Sequence, residues 1–131
     1  MGIVLVMCFY SLNVFAVTAA PTETYVDIVP FWTHITRTVN DLQNLGGGRL
    51  SIHGGTQVQF GFVAETTIEL QQNGRTIRTW NTTGGMNAAI STDWFVARGH
   101  QYRLRLTHRA LNANGAVLET VVMYSRTVSV N

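Results

Sequence analysis

The chain has 131 residues, 46% of them hydrophobic, which is the size of one domain and enough apolar material to fill its core. Nine arginines, no lysine and seven acidic residues leave a net charge of +2. With no clustered cations, that charge gives no strong field, and it argues against nucleic-acid binding. Cys8 is the only cysteine, so no disulfide can form within the chain.

Met1 to Ala20 carries no charged side chain. Ile3 to Tyr10 is continuously apolar, and the run extends through Leu12, Val14, Phe15 and Val17 before closing in Ala16, Ala19 and Ala20. This is the pattern of a secretory signal peptide, with cleavage expected after Ala19 or Ala16. The expected organisation is a signal peptide over 1–19, a tether over 20–32 and one domain over 33–131. No Lys or Arg precedes the apolar run, which departs from the usual leader. A retained anchor is the alternative, although Ser11, Asn13 and Thr18 dilute the roughly 20 apolar residues that a span needs. Met7 before Cys8 argues against a lipoprotein. Removal of the leader takes Cys8 with it, and thiolate metal sites and cysteine nucleophiles as well. The expected location is secreted or at the cell surface, with membrane contact only through the leader.

Beyond the tether, apolar residues alternate with period two, the signature of strands. Thr33 to Asn40 carries Ile35 and Val39, and Gly46-Gly47-Gly48 breaks the chain. Arg49 to His53 puts Leu50 and Ile52 on one face, and Gly54-Gly55 is expected to turn it. Thr56 to Phe62 then reads as a strand with Val58, Phe60 and Phe62 inward. The nearest helical pattern, Val39-Asp41-Leu42-Leu45, is too short. Asn73-Gly74 predicts a two-residue hairpin turn, since both positions need φ > 0. That turn sets Gln72 opposite Arg75, Leu70 opposite Ile77 and Glu69 opposite Arg78. Further strands follow over Met86 to Phe95, Gln101 to Ala110, Ala116 to Tyr124 and Ser125 to Val130. Seven or eight short strands with regular turn signals predict an all-β antiparallel sandwich.

The segment Arg98-Gly99-His100-Gln101-Tyr102-Arg103-Leu104-Arg105-Leu106 resembles the corner and sixth strand of immunoglobulin-like and fibronectin type III-like sandwiches. The resemblance implies that the Tyr102 hydroxyl bonds back to upstream backbone. The leader, Thr79-Trp80-Asn81, Tyr102-Arg103-Leu104, Asn114-Gly115, Glu119-Thr120-Val121 and Tyr124-Ser125 are similar to small exported proteins of Gram-positive bacteria. Those are domains of unknown function, so the likeness implies a secreted single sandwich and no activity.

Chemistry is sparse. His34, His53, His100 and His108 sit at no recognised metal-ligand spacing, and no Gly-x-Ser-x-Gly elbow occurs. No cofactor is implied. Asp41, Glu65, Asp93 and Glu119 are the acids that could meet as a pair. Binding is better supported, because Arg103, Arg105 and Arg109 share one face of a strand with Thr107, opposite Tyr102, Leu104 and Leu106. Such a row can fork carboxylate or phosphate groups. Trp80 falls beside Arg78 on the hairpin's outer face if the turn register holds, and returns to the core if a bulge intervenes. Asn81-Thr82-Thr83 has the form of a glycosylation acceptor, which matters only in a eukaryotic secretory pathway. The expected function is a non-catalytic binding module for an anionic glycan or protein ligand. One alternative is a structural subunit joined through sheet edges, with Val128–Val130 or Phe31-Trp32 adding to a neighbour. The other is a small hydrolase using paired carboxylates.

Overall fold

A computed structural model describes residues 25–27 and 32–131; the proposed signal peptide, and Phe31 of the tether, lie outside the described residues. Nine strands follow in order: β1 (Tyr25–Asp27), β2 (Ile35–Gly46), β3 (Arg49–Val58), β4 (Val63–Gln72), β5 (Arg75–Gly84), β6 (Asn87–Phe95), β7 (His100–Leu111), β8 (Val117–Tyr124) and β9 (Val128–Val130). They form two antiparallel sheets, β1-β2-β3-β6 and β5-β4-β7-β8, with β9 paired to β7 beyond β8. The sheets pack face to face as a sandwich, and the central strands β4 and β7 bury largely alternate residues. β1 falls inside the stretch expected as a tether, and pairs with β2 from Tyr25 opposite Asn40 to Asp27 opposite Thr38.

The interior is layered along the strands. Leu42, Leu50, Ile52, Ile68, Leu70, Tyr102, Leu104 and Leu106 form one apolar cluster with Val128 and Val130. Ile35, Val58, Ala64, Ala88 and Ala110 form a second. Each fully buried Leu or Ile contributes roughly 1.5–3 kcal/mol. Between the clusters runs a polar layer of Asn40, Thr56, Thr66 and His108, all buried. His108 continues the inward face of Tyr102, Leu104 and Leu106 and lies at the centre of this layer. Its Nε2 is 2.7 Å from Asn40 Oδ1 and its Nδ1 is 2.7 Å from Thr56 Oγ1. Thr56 Oγ1 is in turn 2.7 Å from Thr66 Oγ1, whose hydroxyl donates to the Ala88 carbonyl at 2.7 Å. From β2 to β7, β3, β4 and β6, the network changes sheet at every step. Burial pushes the His108 ring down to a pKa of about 3, so it is neutral in the fold.

Three local expectations are corrected. Gly54-Gly55 does not turn; β3 runs through it, pairing with β2 and β6 throughout. A Cβ at Gly54 would stand 2.6 Å from both Ile68 Cδ1 and Leu106 Cδ2, so this glycine serves close approach of the sheets. The chain turns instead at Gln59–Phe62, where the Phe62 amide donates to the Gln59 carbonyl at 3.2 Å, and Phe60 is left 87% exposed. In the β4–β5 hairpin the Asn73-Gly74 turn forms with both residues at positive φ. However, the register shifts beyond Thr76, so that Ile77 is unpaired and Leu70 faces Arg78. The expected Glu69–Arg78 pair is therefore absent, and Glu69 faces Thr79.

Other readings hold. Asp41 and Leu42 lie on β2, not on a helix. The Tyr102 hydroxyl donates to the Ala97 carbonyl at 2.6 Å, the backward bond implied by the corner motif. Val128 and Val130 are buried on β9, which pairs with β7 of the same chain.

Candidate functional site

The arginine row lies on the outer face of the five-stranded sheet, opposite the buried Tyr102, Leu104 and Leu106. Strand register decides what each arginine meets. β4 sets Gln71 opposite Arg103, Glu69 opposite Arg105 and Glu65 opposite Arg109, while β8 sets Tyr124 opposite Arg105 and Thr120 opposite Arg109. Arg105 Nη1 donates to Glu69 Oε2 at 2.8 Å, and Arg109 Nη1 reaches Glu65 Oε1 at 3.4 Å. Burial works against the charge on Arg105, but interactions with Tyr124 and Glu69 outweigh it and raise its pKa. The two acids are themselves held: Thr76 Oγ1 donates to Glu69 at 2.9 Å, and Asn81 Nδ2 donates to Glu65 at 3.3 Å. Two of the three arginines are thus already compensated within the face.

Arg103 differs. Its Nε donates to Gln71 Oε1 at 2.8 Å, and its guanidinium carbon lies 4.3 Å from the centre of the Tyr124 ring. Among the described residues no carboxylate pairs with it. The guanidinium sits over the ring with an amide at its Nε edge, and a guanidinium so placed can fork an incoming oxyanion with its two terminal amino groups. No family model matches this chain, and no curated protein or solved structure matches it either. The site is therefore read from its own geometry.

Arg78 and Trp80 do not join this face. The extra residue at Ile77 turns them inward, as the bulge alternative anticipated, to the seam where β5 faces β6. Trp80 packs on the larger apolar cluster and meets Trp94 edge to face, ring centres 5.6 Å apart. Arg78 covers the pair, 4.3 Å from the Trp94 ring and 5.3 Å from that of Trp80. The group closes the side of the sandwich.

The four acids disperse. Glu65 belongs to the arginine face, and Asp93 pairs with Arg49 at 3.7 Å on the outer face of the other sheet. Asp41, on that same face, accepts from Gln43 Nε2 at 3.2 Å. Register brings Asp41, His53 and Ser91 side by side across β2, β3 and β6, with Ser91 Oγ 3.0 Å from His53 Nδ1. His53 and Asp41 form no hydrogen bond or ion pair. Glu119 accepts three backbone amides, from Thr33 at 2.9 Å and from His34 and Ile35 at 2.8 Å, and so latches the start of β2 onto β8. Of the remaining histidines, His34 packs on Phe62 and His100 Nδ1 lies 3.0 Å from Asn73 Nδ2. Among the described residues no group of three His, Cys, Asp or Glu side chains could hold a metal ion.

Tyr124, Gln71 and Glu69 escaped the reading of single strands, because each acquires its role across a strand pair. Their period-two parity carried part of the signal: Tyr124 and Val122 alternate with Val121 and Met123. Which strands are neighbours cannot be counted along one segment.

Proposed function

We propose that this domain is an exported, non-catalytic binding module whose ligand presents carboxylates, as acidic peptides and acidic glycans do, with Arg103 as the anchor. The observation that carries this reading is the contrast within the arginine row. Arg105 and Arg109 are matched by Glu69 and Glu65, whereas Arg103 lies over the Tyr124 ring and pairs with no carboxylate among the described residues. A guanidinium fixed before the ligand arrives loses little side-chain entropy on binding, which favours a specific fork over diffuse attraction. The rest of the face, with Thr67, Thr107 and Asn81 between the ion pairs, offers hydrogen bonds to a polar chain lying along the sheet. The charge-free Met1 to Ala20 segment supports export. The order β2-β3-β6 against β5-β4-β7-β8, together with the Tyr102 corner, supports the fibronectin type III-like likeness.

Polyglutamate and polygalacturonate, titrated by calorimetry, test the proposal. Binding is expected to weaken with salt, and Arg103→Ala is expected to weaken it at least about tenfold, equivalent to ~1.4 kcal/mol. Arg109→Ala, which removes an already compensated charge, should change it far less. Absence of binding to both polymers, or binding that Arg103→Ala leaves intact, would sink the proposal.

A further inference from the structure

We infer that the outer edge of β8 is a self-association seam, where a second copy of this chain pairs antiparallel about a twofold axis at Val121. The inference is independent of any ligand at Arg103.

Unpaired backbone at a sheet edge invites another strand unless something blocks it. β1 is three residues long. β5 carries the unpaired Ile77 together with Arg75 and Arg78. On β6 the Ala88 carbonyl is taken by Thr66, and Trp94 is covered by Trp80 and Arg78. On β9 the Ser129 carbonyl is taken by Asn44 Nδ2 at 3.0 Å. β8 has eight residues, no proline, no lysine and no arginine, and among the described residues its outer side pairs with nothing.

The ladder phase shows which groups are free. The Ser125 amide donates to the Leu104 carbonyl at 3.0 Å, in line with the β7–β8 register. Antiparallel bonding alternates, so Met123, Val121 and Glu119 share that phase and point their amides and carbonyls at β7. Thr120, Val122 and Tyr124 therefore turn theirs outward, whereas Leu118 is the extra residue of a bulge between Val117 and Glu119 and leaves that phase. The side chains of those three stand on the sheet's outer face, where Val122 is 41% exposed and Tyr124 45%.

The regular part of the strand is complementary to itself. In one register an antiparallel copy sets Thr120 opposite Val122 of the second copy, with Tyr124 reaching the bulge at its Leu118. Val121 then faces its own counterpart on the axis, and both outer faces point the same way. Like charges facing each other across a pair are destabilising, and here none meet. The strand's single charge, Glu119, is occupied by the amides of Thr33, His34 and Ile35. The twofold closes the assembly at two copies, giving one continuous sheet with both Arg103–Tyr124 pairs on the same face.

Sedimentation velocity over a concentration series tests the seam. The purified chain should pass from monomer to dimer and no further. Val122→Pro removes an amide that faces away from β7, so the fold should persist, with unchanged β circular dichroism, while the dimer is lost. Val122→Lys serves as the second variant should proline disturb β8; appearing twice in the seam, it should weaken association at least about tenfold. Under oxidation Val121→Cys should yield a disulfide-linked dimer, since side chains in a non-hydrogen-bonded pair stand close, and Val117→Cys should not. A monomer at every concentration, a dimer that survives both Val122 substitutions, or open-ended assembly would overturn the inference. So would stable pairing of β8 only with an unrelated strand peptide.

Discussion

Replacing His108 with glutamine tests the polar layer that holds the two sheets together. In the fold the ring is neutral, with a pKa of about 3 against an ordinary 6.5. Unfolding exposes the ring and lets it take up a proton. Between those two pKa values the unfolded chain therefore binds more protons than the folded one, and stability falls as the pH falls. Fully expressed, the difference is roughly 4–5 kcal/mol, a large share of a small domain's total. Roughly half of it should be lost between about pH 7.5 and about pH 4.5. His108→Gln removes this proton uptake. The variant should be about 1–3 kcal/mol less stable near neutral pH, because its amide cannot match both the Asn40 and Thr56 bonds. Its stability should then decline less steeply toward acid. Urea denaturation of both proteins at stepped pH gives the two slopes, and NMR of the His108 ring gives its titration directly. Parallel slopes, or a His108 resonance titrating near its ordinary value, would refute the reasoning.

Glu119→Gln keeps the shape of the latch but removes the charge that three amides share, and should cost about 1–3 kcal/mol. Hydrogen exchange at Thr33, His34 and Ile35 should accelerate, and unchanged protection there would contradict the latch. Tyr102→Phe deletes a buried hydroxyl bonded to Ala97 and Gln72, with an expected loss of about 1–2 kcal/mol by urea denaturation. A neutral result would mean that the corner bond contributes nothing. Gly54→Ala should destabilise by about 1–3 kcal/mol through overpacking against Ile68 and Leu106. Gly55→Ala, whose nearest neighbour would be Ala89 Cβ at 3.3 Å, should cost less. A reversed order in melting temperature would count against the close-approach role of Gly54.

The sandwich was legible in the sequence because its two signals are local. Alternation of Leu104, Leu106 and Tyr102 with arginines, and turn pairs such as Asn73-Gly74, need no knowledge of the partner strand. The errors arose where one residue type has two physical uses. Glycine permits a turn, and it also permits backbones to approach; Gly54-Gly55 does the second. Such a pair inside an alternating strand reads as punctuation until the opposing Ile68 and Leu106 are known. Phe60 failed for the complementary reason. It kept the strand parity of Val58, but the chain had already left the sheet.

The candidate site shows the same division more sharply. Which face Arg103, Arg105 and Arg109 share follows from parity along β7. Whether each is free follows from β4, which is separated from β7 by two intervening strands, and from the register that β8 takes across the turn at 112–116. Three arginines that look equivalent in sequence become two buttressed ion pairs and one cation stacked on Tyr124. The single unpaired residue at Ile77 acts in the same way, moving Arg78 and Trp80 from a surface platform to a seam without changing any residue. What each side chain on a sheet face can do depends on its neighbours across the strands. In the binding reading proposed above, Arg103 is the member of this row that no carboxylate among the described residues compensates, and so the one that would meet a ligand.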